Sequence, residues 1–210
     1  LLGHTMIEHV YRRARLAKNI DEVYVATCDH EIAQKVKEFG GLCIMTSDKH
    51  IRGTDRVAEA AQSIEADIIL NVQGDEPVVD PVSLDVAIMK MKENKGISCI
   101  NLTSLITGWD VFIDTNVVKT VQDENNNILY FSRQPIPTCL QCDFKQAIKQ
   151  IGIYLFRKDV LLRFYEWGQA PLERAEAVDM MRFLENGHNI KAVRCKDMIS
   201  VDTPEDLLRV

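Results

Sequence analysis

The strongest constraint on this chain is a regular alternation of short apolar runs with longer helix-patterned stretches through its first half. Val23-Tyr-Val-Ala-Thr27 reads as a strand, and Asp29 caps a helix carrying Ile32, Val36 and Phe39 that Gly40-Gly41 ends. Leu42-Cys-Ile-Met45 is the next strand. Thr54 starts a helix through Val57, Ala58, Ala60 and Ala61, and Asp67 to Val72 is a third strand. Asp80 caps another helix with Pro81 at its first position, and Ile97 to Leu102 follows as a strand. Strands separated by helices of this length point to right-handed βαβ units around a largely parallel sheet, an α/β fold. Ahead of them, Thr5 and Glu8 read as a capping box for a helix through Met6, Ile7, Val10, Tyr11 and Ala14. An α/β domain is expected to place a strand and a ligand-contacting loop before such a helix, so the sequence is expected to lack an amino-terminal segment.

The pattern changes in the second half. Val117 to Val121 and Ile128 to Phe131 flank Asp123-Glu-Asn-Asn-Asn127, which predicts an antiparallel hairpin. Ile151 to Phe156 is an apolar strand. Pro171 to Glu185 reads as one helix on which Glu173, Glu176 and Asp179 share a face. Ile199-Ser-Val-Asp202 reads as a short strand, and Thr203-Pro204-Glu-Asp206 opens the last helix. With 210 residues, 46% of them hydrophobic, residues 1–210 are expected to form a single domain around one core.

Charge and cysteines narrow the setting. A net charge of −6 argues against a nucleic-acid surface but leaves room for small anionic substrates in a locally basic cleft. No apolar stretch is long enough for a membrane span and none resembles a secretion signal. Six scattered cysteines suit free thiols in a reduced cytoplasm. Cys139-Leu-Gln-Cys142 has the spacing of half a zinc knuckle, but no second pair follows it; an ordinary loop is the other reading.

Three places carry chemistry. Asn71-Val-Gln-Gly-Asp-Glu-Pro77 follows a buried strand, so Gly74 bends the chain and Asp75 and Glu76 project beyond the strand's carboxyl end, where ligands bind in open α/β sheets. Their hard oxygens suit Mg²⁺ carrying a nucleotide triphosphate; an acidic surface turn is the alternative. Arg133 leaves the hairpin at Ser132-Arg133-Gln-Pro135-Ile-Pro137, either as a fork for phosphate or carboxylate or as a solvated arginine. Asp202 sits at another strand end, either joining Asp75 around one metal or serving a turn or cap.

In order along the chain stand His50-x-Arg-Gly53-Thr-Asp-Arg56, Asn71 to Pro77, Asn116-Val-Val-Lys119, Tyr130-Phe-Ser-Arg133-x-Pro-Ile-Pro137, Ile151-Gly-Ile-Tyr154, Pro171-Leu-Glu173 and Val201-Asp-Thr-Pro-Glu-Asp206. This series closely resembles the 3-deoxy-manno-octulosonate cytidylyltransferases, the CMP-KDO synthetases, from about His4 to Val210. The resemblance implies a nucleotide-diphospho-sugar-transferase-like fold: a three-layer αβα arrangement with a mainly parallel central sheet and an antiparallel hairpin excursion. It implies a cytoplasmic homodimer joining CMP from CTP to an ulosonic acid for lipopolysaccharide synthesis, with release of pyrophosphate. It implies Mg²⁺ on Asp75 and Asp202 as the catalytic pair. Arg52, Gly53, Arg56 and Gln73 would contact the nucleotide, and Arg133, Gln150, Tyr154, Glu173, Asp179 and Met180 the sugar.

The departures from the family pattern are informative. The Arg- and Lys-bearing glycine loop that grips the triphosphate is absent ahead of the first helix, so the chain by itself is expected to be inactive or nearly so. Arg52 stands where the family usually has Ser. Gln150 replaces a family His, and Asp179-Met180 replaces a Glu-Gln pair. Such exchanges change hydrogen-bonding partners for a polyol and point to a variant sugar such as an 8-amino-3,8-dideoxy-octulosonate. A glycosyltransferase that consumes a nucleotide-sugar and a non-catalytic sugar-nucleotide-binding relative remain as other readings.

Overall fold

The computed structural model describes residues 2–138, 146–201 and 203–210. Cys139, Cys142 and the expected metal ligand Asp202 therefore lie outside the described residues. β7 (Ile148–Arg157) organises the sheet. It runs antiparallel to β3 (Ile68–Val72), β4 (Cys99–Leu105) and β5 (Lys119–Gln122). β5 carries β6 (Ile128–Ser132) as the expected antiparallel hairpin, and β4 carries β8 (Lys191–Arg194) in parallel. β1 (Tyr24–Thr27) and β2 (Leu42–Met45) form a separate parallel pair.

The alternation of β7 explains its central place. Ile151, Ile153 and Leu155 enter one core, while Tyr154 and Phe156 enter the other. A strand covered on both faces reads as a near-continuous apolar run. On the first face, α1 (Met6–Ala14) contributes Ala14 and α4 (Pro81–Glu93) contributes Leu84, Ala87, Ile88 and Met91. On the second, α3 (Gly53–Gln62), α6 (Lys158–Trp167) and α8 (Met181–Glu185) bring Ala58, Ala61, Leu161, Phe164 and Phe183. α2 (His30–Glu38) buries Val36 against Tyr11 and Val25. The three αβα layers are those expected from the sequence.

The largely parallel sheet is present in direction but not in pairing. β3, β4, β5 and β8 run one way, whereas β6 and β7 run the other, and every neighbour of β7 is antiparallel to it. Apolar periodicity reports a buried strand and is silent on its direction.

Local expectations divide in the same manner. Asp29 accepts from Glu31 N and Ile32 N, and Asp80 from Ser83 N, as the caps require. Thr203 and Asp206 make a reciprocal box at α9 (Pro204–Leu207). Thr5 makes no side-chain cap; the Glu8 carboxylate instead holds Arg12 and His4. The helix expected from Pro171 to Glu185 is broken. α7 (Pro171–Glu176) ends at Ala177, whose left-handed backbone (φ 53°, ψ 38°) turns the chain before α8. Residues 199–201 are not a strand; the last strand, β8, lies earlier.

Candidate active site

The chain leaves β3 through a tight loop held down by β7. Gln73 N donates to Gly152 O at 3.1 Å, and Glu76 N donates to Gln73 O at 3.2 Å. Glu76 then folds back beneath the loop and is only 1% exposed. Its Oε1 accepts from Gly152 N at 3.1 Å and from Ser200 Oγ at 2.7 Å, while its buried Oε2 has no hydrogen-bond partner among the described residues. Gly152 makes this approach possible, because a Cβ there would stand 2.7 Å from Gln73 Oε1 and 3.0 Å from Glu76 Oε1. Burial pushes the Glu76 carboxyl up to about 7; the neighbouring Asp75 charge adds to this, and the Ser200 and Gly152 donors oppose it. Asp75 is half-buried, and its carbonyl accepts from Val201 N at 2.8 Å. The chain at Val201 is thus drawn against the acidic loop.

Along the sheet from this loop, Tyr154 is flanked in register by Asn71 on β3 and Asn101 on β4. Its hydroxyl donates to Gln150 Oε1 at 3.0 Å. Burial, and then the charge of Asp179, raise the phenol well above its ordinary value, so it remains a donor. Asn101 Nδ2 donates to Ile151 O and Ile153 O, but Asn101 Oδ1 and Asn71 Nδ2 are buried with no hydrogen-bond partner among the described residues. Buried polar atoms are nearly always paired in folded proteins, so these are atoms for an ordered water or a bound ligand to satisfy.

The three acids expected on one helix face have three separate tasks, because the break at Ala177 turns them apart. Glu173 is fully buried and takes Arg182 Nε and Nη2, each at 2.8 Å. Arg182 also donates to Asp55 at 2.7 Å and 3.2 Å and to Phe164 O, which uses all five of its N–H groups. Glu176 accepts from the Tyr130 and Ser132 hydroxyls and from Arg133 N. Asp179 accepts from Thr54 Oγ1 at 2.5 Å; burial raises its carboxyl and the Thr54 donor opposes that.

Several of the expected sugar contacts have partners within the fold. Met180 is completely buried in the core with Phe156 and Phe183. Asp179 is committed to Thr54. Glu173 is enclosed by Arg182 and the Ala170 amide. Arg133 donates to four backbone carbonyls, those of Thr115, Asn116, Glu176 and Ala177, and so staples the hairpin exit to the α7 end. Lys119 from the neighbouring motif does the same with the carbonyls of Asp114, Val117 and Arg133.

The expected nucleotide set is partly assembled. Gly53, Arg56 and Gln73 line one cavity with Gly74 and Asp75. Arg56 also donates to Thr46 Oγ1 at 2.7 Å and Ser47 O at 3.2 Å, tying α3 to the end of β2. Arg52 stands at the N-cap of α3, outside the residues lining that cavity, with its buried Nε 3.9 Å from Glu173 Oε1 and without a hydrogen-bond partner among the described residues. Gly152 and Asp55 stand inside the quoted motifs without an assigned role, and Ser200, Asn101 and Arg182 escaped the sequence reading. Only Gly152 left a signal, a glycine interrupting an apolar strand, which marks close backbone approach. For a metal, no group of three His, Cys, Asp or Glu side chains converges among the described residues. The adjacent carboxylates of Asp75 and Glu76, one with an unpaired buried oxygen, have the hard-oxygen chemistry that Mg²⁺ takes.

Comparison with known proteins agrees with this arrangement. Residues 1–191 match the family model described as cytidylyltransferase. A 3-deoxy-manno-octulosonate cytidylyltransferase from Geobacter metallireducens is 42% identical, with 100% of this chain matching 87% of that protein. One of the same description from Syntrophotalea carbinolica is also 42% identical, with 100% of this chain matching 88% of it. Among solved structures, a CMP:2-keto-3-deoxy-manno-octonic acid synthetase complexed with CTP superposes with a TM-score of 0.90 at 35% identity, over 97% of this chain and 85% of that one. A 4-diphosphocytidyl-2C-methyl-D-erythritol synthase from Anaerococcus prevotii shares the fold, with a TM-score of 0.65 at 15% identity over 99% of this chain and 87% of that one.

Proposed function

Because the chain belongs to the 3-deoxy-manno-octulosonate cytidylyltransferase family, we propose that it transfers CMP from CTP to the anomeric hydroxyl of 3-deoxy-manno-octulosonate, releasing pyrophosphate. The observation that carries this reading is the junction after β3, where Asp75 stands at a cavity that Gly53, Arg56 and Gln73 also line. The hydroxyl oxygen forms a bond to the α-phosphorus, the bond to the β-phosphate oxygen breaks, and pyrophosphate leaves with that electron pair as the hydroxyl proton is lost. Positioning and charge neutralisation supply most of the catalysis in such a displacement.

Asp75 and Asp202 would hold Mg²⁺, which when bound neutralises triphosphate charge and polarises the attacking hydroxyl. Gln73 and the Gly53 to Arg56 turn of α3 meet the nucleotide. Glu76 fixes the loop from below, bridging Gly152 and Ser200. Gln150, oriented by the Tyr154 hydroxyl, keeps its amide Nε2 for the sugar. Of the exchanges that pointed to an amino-sugar, Met180 and Asp179 are spent inside the fold, which favours the unmodified octulosonate.

The same reading places the enzyme in the cytoplasm, supplying an activated sugar for lipopolysaccharide synthesis. Among the described residues no helix is long and apolar enough to cross a membrane. It also makes the enzyme a homodimer; exposed Leu105, Trp109 and Ile113, at the end of β4 and on α5 (Trp109–Ile113), offer apolar surface for one. The test is pyrophosphate release by the full-length protein. Release is expected only when CTP, Mg²⁺ and the octulosonate are all present, with kcat/KM higher for it than for the 8-amino analogue. Consumption of a nucleotide-sugar in place of CTP would overturn the assignment.

A further inference from the structure

We propose that Arg52 binds the carboxylate of the sugar substrate and so selects an ulosonic acid over a neutral sugar; the inference rests on the cytidylyl-transfer reading above. That reaction brings two anions together. The sugar's C1 carboxylate adjoins the anomeric carbon whose hydroxyl attacks, and without a cation it repels the triphosphate it must approach. The other basic side chains described around the site are committed to the fold. Arg182 uses all five N–H groups on Glu173, Asp55 and Phe164 O. Lys119 gives its ammonium to three carbonyls, and Arg133 reaches four. Lys149 holds Asp197 and Met198 O. Arg52 differs from all of them, because its Nε is buried with no hydrogen-bond partner among the described residues.

Local structure leaves this guanidinium available. Arg52 stands at the N-cap of α3 in extended backbone (φ −119°, ψ 146°), and 26% of its side chain reaches solvent. Its Nε stops 3.9 Å from Glu173 Oε1, too far for a hydrogen bond, and both Glu173 oxygens already hold Arg182. Two residues on, Thr54 Oγ1 donates to Asp179. The Arg52 charge is felt there. Burial raises the Asp179 carboxyl, the Thr54 donor opposes it, the Glu173 charge adds to it, and the Arg52 charge opposes it. Burial and then Asp179 raise the Tyr154 phenol, whose hydroxyl orients Gln150. Arg52 thus shares one electrostatic neighbourhood with the side chains proposed for the sugar. Both Arg52 and Asp179 are positions where this chain departs from the family pattern, so the contact is a property of this chain. A carboxylate that accepts from Nε and one Nη in the bidentate manner removes the cost of the unpaired donor.

Paired kinetics on the full-length protein test this. The octulosonate is compared with its C1 carboxamide, which keeps the ring and hydroxyls and loses the charge. The wild-type protein is expected to prefer the acid by about tenfold to a hundredfold in kcat/KM, the usual worth of a charge-assisted pair. Arg52→Ser should raise KM for the acid by a similar factor, leave KM for CTP within about twofold, and cut the acid-over-amide preference below about threefold. Arg52→Lys should keep part of that preference, since it keeps the charge without the fork. The urea midpoint should hold in both variants, because Glu173 retains Arg182. Equal weakening of acid and amide overturns the proposal. So does a raised KM for CTP with that for the sugar unchanged, which would return Arg52 to the nucleotide. A lowered midpoint with the preference intact would make Arg52 a structural counter-ion instead. Wild-type protein that releases no pyrophosphate with either sugar fails the cytidylyl-transfer reading itself and takes this inference with it.

Discussion

Two pairs of acids, each with one member fully buried, are treated in opposite ways in this molecule. At Asp55, Glu173 and Arg182 the carboxylates are neutralised by a guanidinium with every N–H used. At Glu76, beside Asp75, one carboxyl oxygen is buried with no hydrogen-bond partner among the described residues, and burial pushes the carboxyl up to about 7. The first cluster is complete and carries structure. The second is incomplete in the protein alone, which is the condition of a site that a ligand finishes. Residue type does not separate the two; the count of satisfied atoms does.

Breaking the complete cluster should cost the most stability. Arg182→Ala leaves the buried Glu173 and the part-buried Asp55 without their cation and is expected to lower the unfolding free energy by about 4 kcal/mol in urea titrations. A loss below about 1 kcal/mol would show that water replaces the arginine and that the contrast is unsound. Asp75→Asn should do the reverse, lowering kcat/KM about a hundredfold to a thousandfold, roughly 3–4 kcal/mol, with the urea midpoint unchanged. A shifted midpoint would place Asp75 with the structural acids.

Glu76 links the two regions, because its burial has a pH signature. Its folded pKa of about 7 lies above the ordinary 4.5. Below about 4.5 the group is neutral in both states and costs nothing. Between the two values the unfolded chain has shed a proton that the folded chain keeps, so stability falls as pH rises. Above about 7 that loss is complete, on the order of 3 kcal/mol. Urea unfolding in metal-free buffer at pH 5 and pH 8 should show this fall, and Glu76→Gln should flatten it; an equal slope in the variant would assign the effect elsewhere.

Two smaller changes sharpen the structural side. Arg133→Lys cannot reach four carbonyls with one ammonium and should cost about 2 kcal/mol of stability while leaving KM for the sugar unchanged. A raised KM would return Arg133 to the substrate. Ala177→Gly removes the left-handed strain at the helix break and should stabilise by about 0.5 kcal/mol, a gain measurable as a slightly higher midpoint.

Much of the fold was legible in the sequence because its signals are local. Asp29 and Asp80 cap their helices, the Asp123 to Asn127 turn closes its hairpin, and β7 carries the apolar run of a doubly covered strand. The helix from Pro171 to Glu185 was misread because its acids have helical spacing, while the partners that turn them apart lie far along the chain at Thr54, Asp55 and Ser132. The acidic loop after β3 was legible as a site from its position at a strand end. Its completion was not, since Gly152 and Ser200 reach Glu76 from 76 and 124 residues away.

The sequence by itself determined most of the strands and helices and, through its ordered motifs, the family, because periodicity, caps and motifs are properties of neighbouring residues. Tertiary structure alone decided which way β7 runs, which cations are staples and which acids remain unsatisfied. Those outcomes depend on groups brought together through folding, and burial then fixes how strongly each one must be paired.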